Sequence, residues 1–171
     1  MQNHFDLFGL QPAFAVDEVR LERTYREIQS RVHPDRYAHA GEAERRASLQ
    51  WTTRVNEAYR ALKDPVQRAS HILELQGVDV AFETNTAMPP DFLMEQLELR
   101  EVLEEATEAK DLGALDALQK RIDADKRTLE QRLGERIDRQ RDYAGAADLV
   151  RELKFLEKME AEIDAAYEAI E

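Results

Sequence analysis

The sequence predicts an all-α protein: an antiparallel helical hairpin with short flanking helices, joined to a C-terminal three-helix bundle. Three observations carry that expectation. Apolar residues recur at spacings of three and four along nearly the whole chain, as one buried face of a helix with 3.6 residues per turn requires. No stretch alternates apolar with polar residues as a half-buried strand would, and no hairpin turn signal appears. The six glycines and five prolines of the 171 residues fall near the ends of the periodic runs.

The elements follow in order. A short aromatic segment, His4-Phe5-Asp6-Leu7-Phe8-Gly9-Leu10, opens the chain, with Gly9 as its stop. A helix is expected from Asp17, which can serve as N-cap, to Val32. Its buried face is Leu21, Tyr25, Ile28 and Val32. Pro34 ends it, because proline disfavours the α region for the preceding residue and has no N–H to give. A second long helix spans Glu42 to Leu62, with Ala47, Trp51, Val55, Ala58, Tyr59 and Leu62 as its buried stripe. Asp64-Pro65 breaks it, and Pro65 suits the first turn of a short helix that reaches Gln76 and stops at Gly77.

Residues 77–88 lack periodicity and are expected to be a connector between a module at 1–76 and one at 89–171. Pro89-Pro90 open a helix through Lys110. Another runs from Leu112 to Arg139, with Leu115, Leu118, Ile122, Leu129, Leu133 and Ile137 on one face. A third, from Asp142 to the end, carries Leu149, Leu153, Leu156, Ile163, Tyr167 and Ile170. Short turns between three such helices imply a small antiparallel bundle.

Composition excludes several function classes. Cysteine is absent, so disulfides and cysteine-ligated zinc or iron–sulfur sites cannot form within the chain. Neither an apolar run of about 18 residues nor a basic-then-apolar leader occurs, so a soluble, non-secreted, cytoplasmic protein without membrane contact is expected. Residues 1–76 balance 11 basic against 11 acidic side chains, whereas residues 77–171 hold 13 against 25 and so carry the net charge of −12. Two modules of different charge suggest different partners, and the acidic excess argues against nucleic acid, whose phosphates demand a basic surface.

No motif supports catalysis. His33 and Asp35 flank a proline without a serine, threonine or cysteine placed as their nucleophile, and there is no glycine-rich phosphate loop. His4, His39 and His71 are scattered in sequence and offer no metal-ligand spacing. The chain is therefore expected to act as a binding protein, with no catalytic residue, metal or cofactor of its own.

Four features in sequence order resemble a J-domain, the helical module that activates heat-shock-type ATPase chaperones. They are Phe5 to Leu10, the triplet His33-Pro34-Asp35 between two long helices, Val55-Asn56-Glu57-Ala58-Tyr59 with Leu62, and the break at Asp64-Pro65. The second half, in Asp91-Phe92-Leu93-Met94-Glu95-Gln96-Leu97-Glu98-Leu99-Arg100-Glu101 and Val150 to Lys158, is similar to the HscB family of J-type co-chaperones of iron–sulfur cluster assembly. Eukaryotic relatives carry a targeting leader and a cysteine-rich zinc module, so this sequence resembles the bacterial form.

The resemblance implies a chaperone-binding surface of His33, Pro34 and Asp35 with Arg26, Arg31 and Arg36, docking on an acidic HscA-type ATPase. Helical geometry is compatible with this, since Arg20, Arg23, Arg26 and Arg31 fall opposite Leu21, Tyr25, Ile28 and Val32 at 100° per residue. The helix at 90–110 presents two apolar faces. Phe92, Leu99, Val102, Leu103 and Ala106 form a core stripe, while Leu93, Met94 and Leu97 point the other way beside Glu101, Glu104 and Glu105. A three-helix bundle covers one face, so the second is expected to be a partner site. Phe155, about 100° off its own helix's stripe, is expected to extend it. By resemblance, Leu93, Met94, Leu97, Glu98, Glu101, Glu105 and Phe155 are positions associated with binding an IscU-type iron–sulfur scaffold. Alternative readings are a J-domain co-chaperone for another client and a weak homodimer through Leu93 and Leu97.

Overall fold

A computed structural model describes residues 2–80 and 88–170. Residues 81–87, most of the expected connector, lie outside the described residues, as do Met1 and Glu171. Every regular element among the described residues is helical. They are α1 (His4–Leu7), α2 (Glu18–Val32), a 3-10 turn (Pro34–Tyr37), α3 (Glu42–Lys63), α4 (Pro65–Leu75), α5 (Pro90–Glu108), α6 (Leu112–Gly134), a π turn (Glu135–Arg139) and α7 (Tyr143–Ile170). The chain divides into two compact units, Met1–Ile72 and Leu73–Glu171.

In the first unit local chemistry sets the element ends. Asn3 and Asp6 form a reciprocal capping box on α1, each side chain accepting from the other's backbone N–H. The one-turn helix ends at Gly9, whose φ of +64° is a left-handed conformation that glycine adopts at little steric cost. Asp17 caps α2 by accepting from the Arg20 N–H at 3.1 Å. α2 and α3 run antiparallel: Tyr25 stacks on Tyr59 with ring centroids 4.0 Å apart and donates its hydroxyl to Asn56 Oδ1 at 2.6 Å, while Val32 lies beside Ser48 and Thr52. Phe5, Leu21, Val55, Ala58 and Leu62 are buried beneath this pair. Fully removing the Phe5, Leu21, Val55 and Leu62 side chains from water contributes roughly 1.5–3 kcal/mol each.

The stripe expected on α3 is corrected at its N-terminal end. Ala47 is exposed and Trp51 is 41% exposed, with the Arg54 guanidinium over its ring at 5.1 Å. The seam uses Ser48 and Thr52 instead, because that end of α3 meets a helix terminus with carbonyls to satisfy rather than an apolar face. Arg68 of α4 is also buried. Its Nε donates to the Phe14 carbonyl at 2.6 Å, its Nη1 donates to the Leu62 carbonyl at 2.7 Å, and its guanidinium lies 4.8 Å from the Phe14 ring centroid.

The second unit is an antiparallel bundle of α5, α6 and α7. All six residues of the stripe expected on α6 and the π turn, Leu115 to Ile137, are buried. The helix expected to run unbroken to Arg139 instead widens after Gly134, a weak helix former, into a turn closed by Gln140 N–H donating to the Glu135 carbonyl at 2.9 Å. Asp142 then caps α7 through Gly145 N–H and pairs with Arg136 at 2.6 Å. Ion pairs Lys126–Glu160 and Arg100–Glu162 tie α7 to its two neighbours.

Candidate functional site

The His33-Pro34-Asp35 triplet sits where α2 stops, and its geometry follows from one missing hydrogen. Pro34 has no N–H, so the Ser30 carbonyl loses the donor that a continuing helix would supply. The Arg36 side chain replaces it, donating through Nη1 at 3.3 Å. The Arg31 carbonyl would next expect the Asp35 N–H, but that group donates to His33 Nδ1 at 3.2 Å. The Tyr37 hydroxyl serves the Arg31 carbonyl instead, at 3.2 Å. The Val32 carbonyl would expect the Arg36 N–H, which donates to the His33 carbonyl at 3.0 Å. Ser48 and Thr52 of α3 both donate to Val32, Thr52 at 3.2 Å. Three carbonyls stripped of helical partners are thus each met by a side chain.

His33 is therefore the N-cap of the 3-10 turn as well as the C-cap of α2. With Nδ1 accepting from Asp35 N–H, the ring's proton resides on Nε2, which remains the donor for a partner. The Asp35 carboxylate is almost fully exposed, one oxygen 3.5 Å from Nδ1. Nδ1 cannot accept the backbone bond and donate to that carboxylate at once, and the N-cap bond is the shorter contact.

Arg20, Arg23, Arg26 and Arg31 are exposed on α2, as the helical spacing requires. They are not equivalent. Arg26 pairs with Glu22 one turn earlier at 2.8 Å, an exposed i,i+4 pair of the kind worth only a few tenths of a kcal/mol. Arg36, expected as a docking cation, holds the turn through the Ser30 carbonyl. Tyr37, Ser48 and Thr52 were not singled out by sequence reasoning. The usable signal was Pro34 itself, which strands a carbonyl, with two hydroxyl residues four apart on the facing helix.

On the bundle, α5 has the two faces its sequence predicts. Phe92, Leu99, Leu103 and Ala106 are buried, whereas Leu93, Met94 and Leu97 are 43%, 70% and 64% exposed. A shallow groove of about 390 Å³ runs along this outer face, lined by Met94 and Leu97 with Asp91, Glu95, Glu98 and Glu101. Glu98 pairs with Arg121 of α6 at 3.4 Å, and Glu101 and Glu105 are exposed. Met94 and Leu97 thus form an exposed apolar strip flanked by the carboxylates of Asp91, Glu95, Glu98 and Glu101.

Phe155 is not part of that surface, contrary to expectation. It is 3% exposed and meets Phe92 edge-to-face, centroids 5.7 Å apart at 88°. The Arg100 guanidinium lies 5.4 Å from its ring centroid. α7 packs against both α5 and α6, so its buried arc is wider than one stripe and includes the position that seemed off-face.

A second concavity, about 440 Å³, lies between the three bundle helices. Glu95, Asp125 and Glu152 line it with Arg132 and Phe92. Burial raises the carboxyls of Glu95 and Glu152 above their ordinary range, and Asp125 adds to the effect at Glu95. In the first unit the fold brings His4 against His71, ring centroids 4.2 Å apart, although the two are distant in sequence. Among the described residues, no three His, Asp or Glu side chains are grouped to hold a metal ion, and no helix is long and apolar enough to cross a membrane.

Comparison with known proteins bears on this arrangement. A family profile described as the HSCB C-terminal oligomerisation domain matches residues 88–164. A protein named co-chaperone protein HscB homolog, from Burkholderia cenocepacia, is 50% identical over 99% of this chain and 96% of its own length. The structure of chaperone HscB from Vibrio cholerae superposes with a TM-score of 0.86 at 37% identity, covering 99% of this chain and all of that one. The crystal structure of the human co-chaperone HscB gives a TM-score of 0.90 at 26% identity, over 96% of this chain and 81% of that one. A J-domain carrying the histidine–proline–aspartate turn, followed by a helical bundle, defines the class as a J-type co-chaperone. The chain belongs to the HscB co-chaperone family.

Proposed function

We propose that this chain couples an IscU-type iron–sulfur scaffold protein to a dedicated HscA-type ATPase chaperone and stimulates the chaperone's ATP hydrolysis, assisting cluster transfer. The observation that carries the reading is the His33-Pro34-Asp35 turn, displayed at the end of a basic-faced helix with its stranded carbonyls satisfied. His33 Nε2–H and the Asp35 carboxylate offer one donor and one acceptor at a fixed spacing. Arg20, Arg23 and Arg31 supply long-range attraction to an acidic surface, which mainly raises the on-rate and orients the encounter. Arg26 and Arg36 add charge there while also engaged with Glu22 and Ser30. The second half of the reading rests on the outer face of α5, where Leu93, Met94 and Leu97 with Glu98, Glu101 and Glu105 form a surface suited to an apolar, basic-rimmed scaffold. No group of this chain reacts. ATP hydrolysis is the chaperone's chemistry, and the cluster is cargo.

The test is an ATPase assay of an HscA-type chaperone with this chain and an IscU-type scaffold, separately and together. His33→Gln is expected to reduce stimulation at least tenfold while scaffold affinity stays as in the unaltered chain, since losing one partner of a desolvated polar contact costs about 2–5 kcal/mol. Normal stimulation by that variant would refute the chaperone half. Self-association through Leu93 and Leu97 is a second reading, consistent with their exposure. Sedimentation equilibrium of the isolated chain, carried from micromolar to about millimolar concentration, decides it: a monomer across that whole range excludes even a weak homodimer.

A further inference from the structure

We propose that Ser48 and Thr52 are positioning residues for the His33-Pro34-Asp35 turn, fixing the Val32–His33 peptide to α3 so that the turn is displayed in one conformation. The inference rests on the ATPase-activation reading and adds to it two residues of the facing helix.

The peptide plane between Val32 and His33 is held at both ends. Its N–H donates to the Gln29 carbonyl at 2.9 Å, and its C=O accepts from Ser48 and Thr52. This plane sets the point from which the His33 backbone departs, at φ −56° and ψ 134°, into the turn. The Arg36 and Tyr37 contacts also cap stranded carbonyls, but they come from within the turn and link it only to the last residues of α2. The Ser48 and Thr52 bonds cross to another element. α3 is itself fixed by buried Val55, Ala58 and Leu62. The two hydroxyls do not share the task equally. Thr52 has one O–H and two acceptors in reach, Val32 at 3.2 Å and its own helix's Ser48 carbonyl at 2.9 Å. Ser48 is the principal donor to Val32, and it is buried, so water cannot easily replace it. Loss of both hydroxyls lets the turn sample orientations that a partner cannot use, and the apparent affinity then falls with the competent fraction.

The test titrates the full chain against an HscA-type chaperone's ATPase, using Ser48→Ala/Thr52→Val and, as rescue, Ser48→Thr/Thr52→Val. For the first variant the half-maximal concentration is expected to rise about tenfold, the plateau being reached at higher concentration. The rescue variant is expected to lie within about twofold of the unaltered chain, because the hydroxyl at position 48 is restored. Amide exchange at His33 and Asp35 in the free chain is expected to accelerate in the first variant only. If that variant melts below the assay temperature, Ser48→Ala alone is compared with Ser48→Thr. Unchanged exchange at His33, or no rescue by threonine, overturns the positioning role. Absence of stimulation by the unaltered chain overturns the activation reading instead, while the exchange data still decide the positioning.

Discussion

Phe155 lies where α7 meets α5, edge-on to Phe92 and capped by the Arg100 guanidinium. An aromatic pair in that arrangement adds about 0.5–1.5 kcal/mol to the burial of the rings themselves. Phe155→Ala is expected to destabilise the fold by about 3–5 kcal/mol, as emptying a buried aromatic site does. Chemical denaturation checks this, with the midpoint shifting and scaffold affinity retained at temperatures where the variant is folded. Selective loss of scaffold affinity with unchanged stability would place Phe155 back on the interaction surface. Residue identities that announced themselves in the sequence were those with backbone consequences: Pro34 as a stop, Asp17 as a cap and Gly9 as a stop, which the structure holds in the left-handed region. Phe155 did not, because its burial depends on which helix lies next to it.

Elements were legible where caps and periodicity agreed. α2, α3 and α5 begin and end within two residues of the limits their sequences imply. The junction between α6 and α7 was less legible, since a π turn leaves no periodic signature in five residues. What fixes that junction is Asp142. Its carboxyl lies below its ordinary value of 3.8, first because it accepts from Gly145 N–H and then because Arg136 donates to it. A carboxyl depressed in the folded state contributes stability that is complete above its unfolded value and is lost as the pH falls through its folded value. Asp142→Ala is therefore expected to lower the melting temperature by a few degrees near neutrality. The gap to the unaltered chain should persist down to about pH 4 and close below it, as thermal scans across pH can follow. A gap that widened on acidification would contradict the assignment.

At the scale of the whole molecule, the chain displays a polar turn on one unit and an apolar strip on the other. The proposed adaptor role requires them to be separable. Replacing Leu93, Met94 and Leu97 together by Ala is expected to weaken binding of an IscU-type scaffold by about 2–4 kcal/mol, measured by titration calorimetry, with the melting temperature nearly unchanged because all three are exposed. Chaperone stimulation in the absence of scaffold should persist. Unchanged scaffold affinity would defeat that half of the proposal. The helical class, the order of elements, the placement of the histidine–proline–aspartate turn and the two-faced character of α5 were all determined by the sequence by itself, because each depends on periodicity or on backbone chemistry within a few residues. Tertiary structure alone decided which hydroxyls reach the Val32 carbonyl at the end of α2, which side of α3 faces that terminus, and that α7 is covered on two sides. Those outcomes depend on neighbours distant along the chain, whose approach no local pattern encodes.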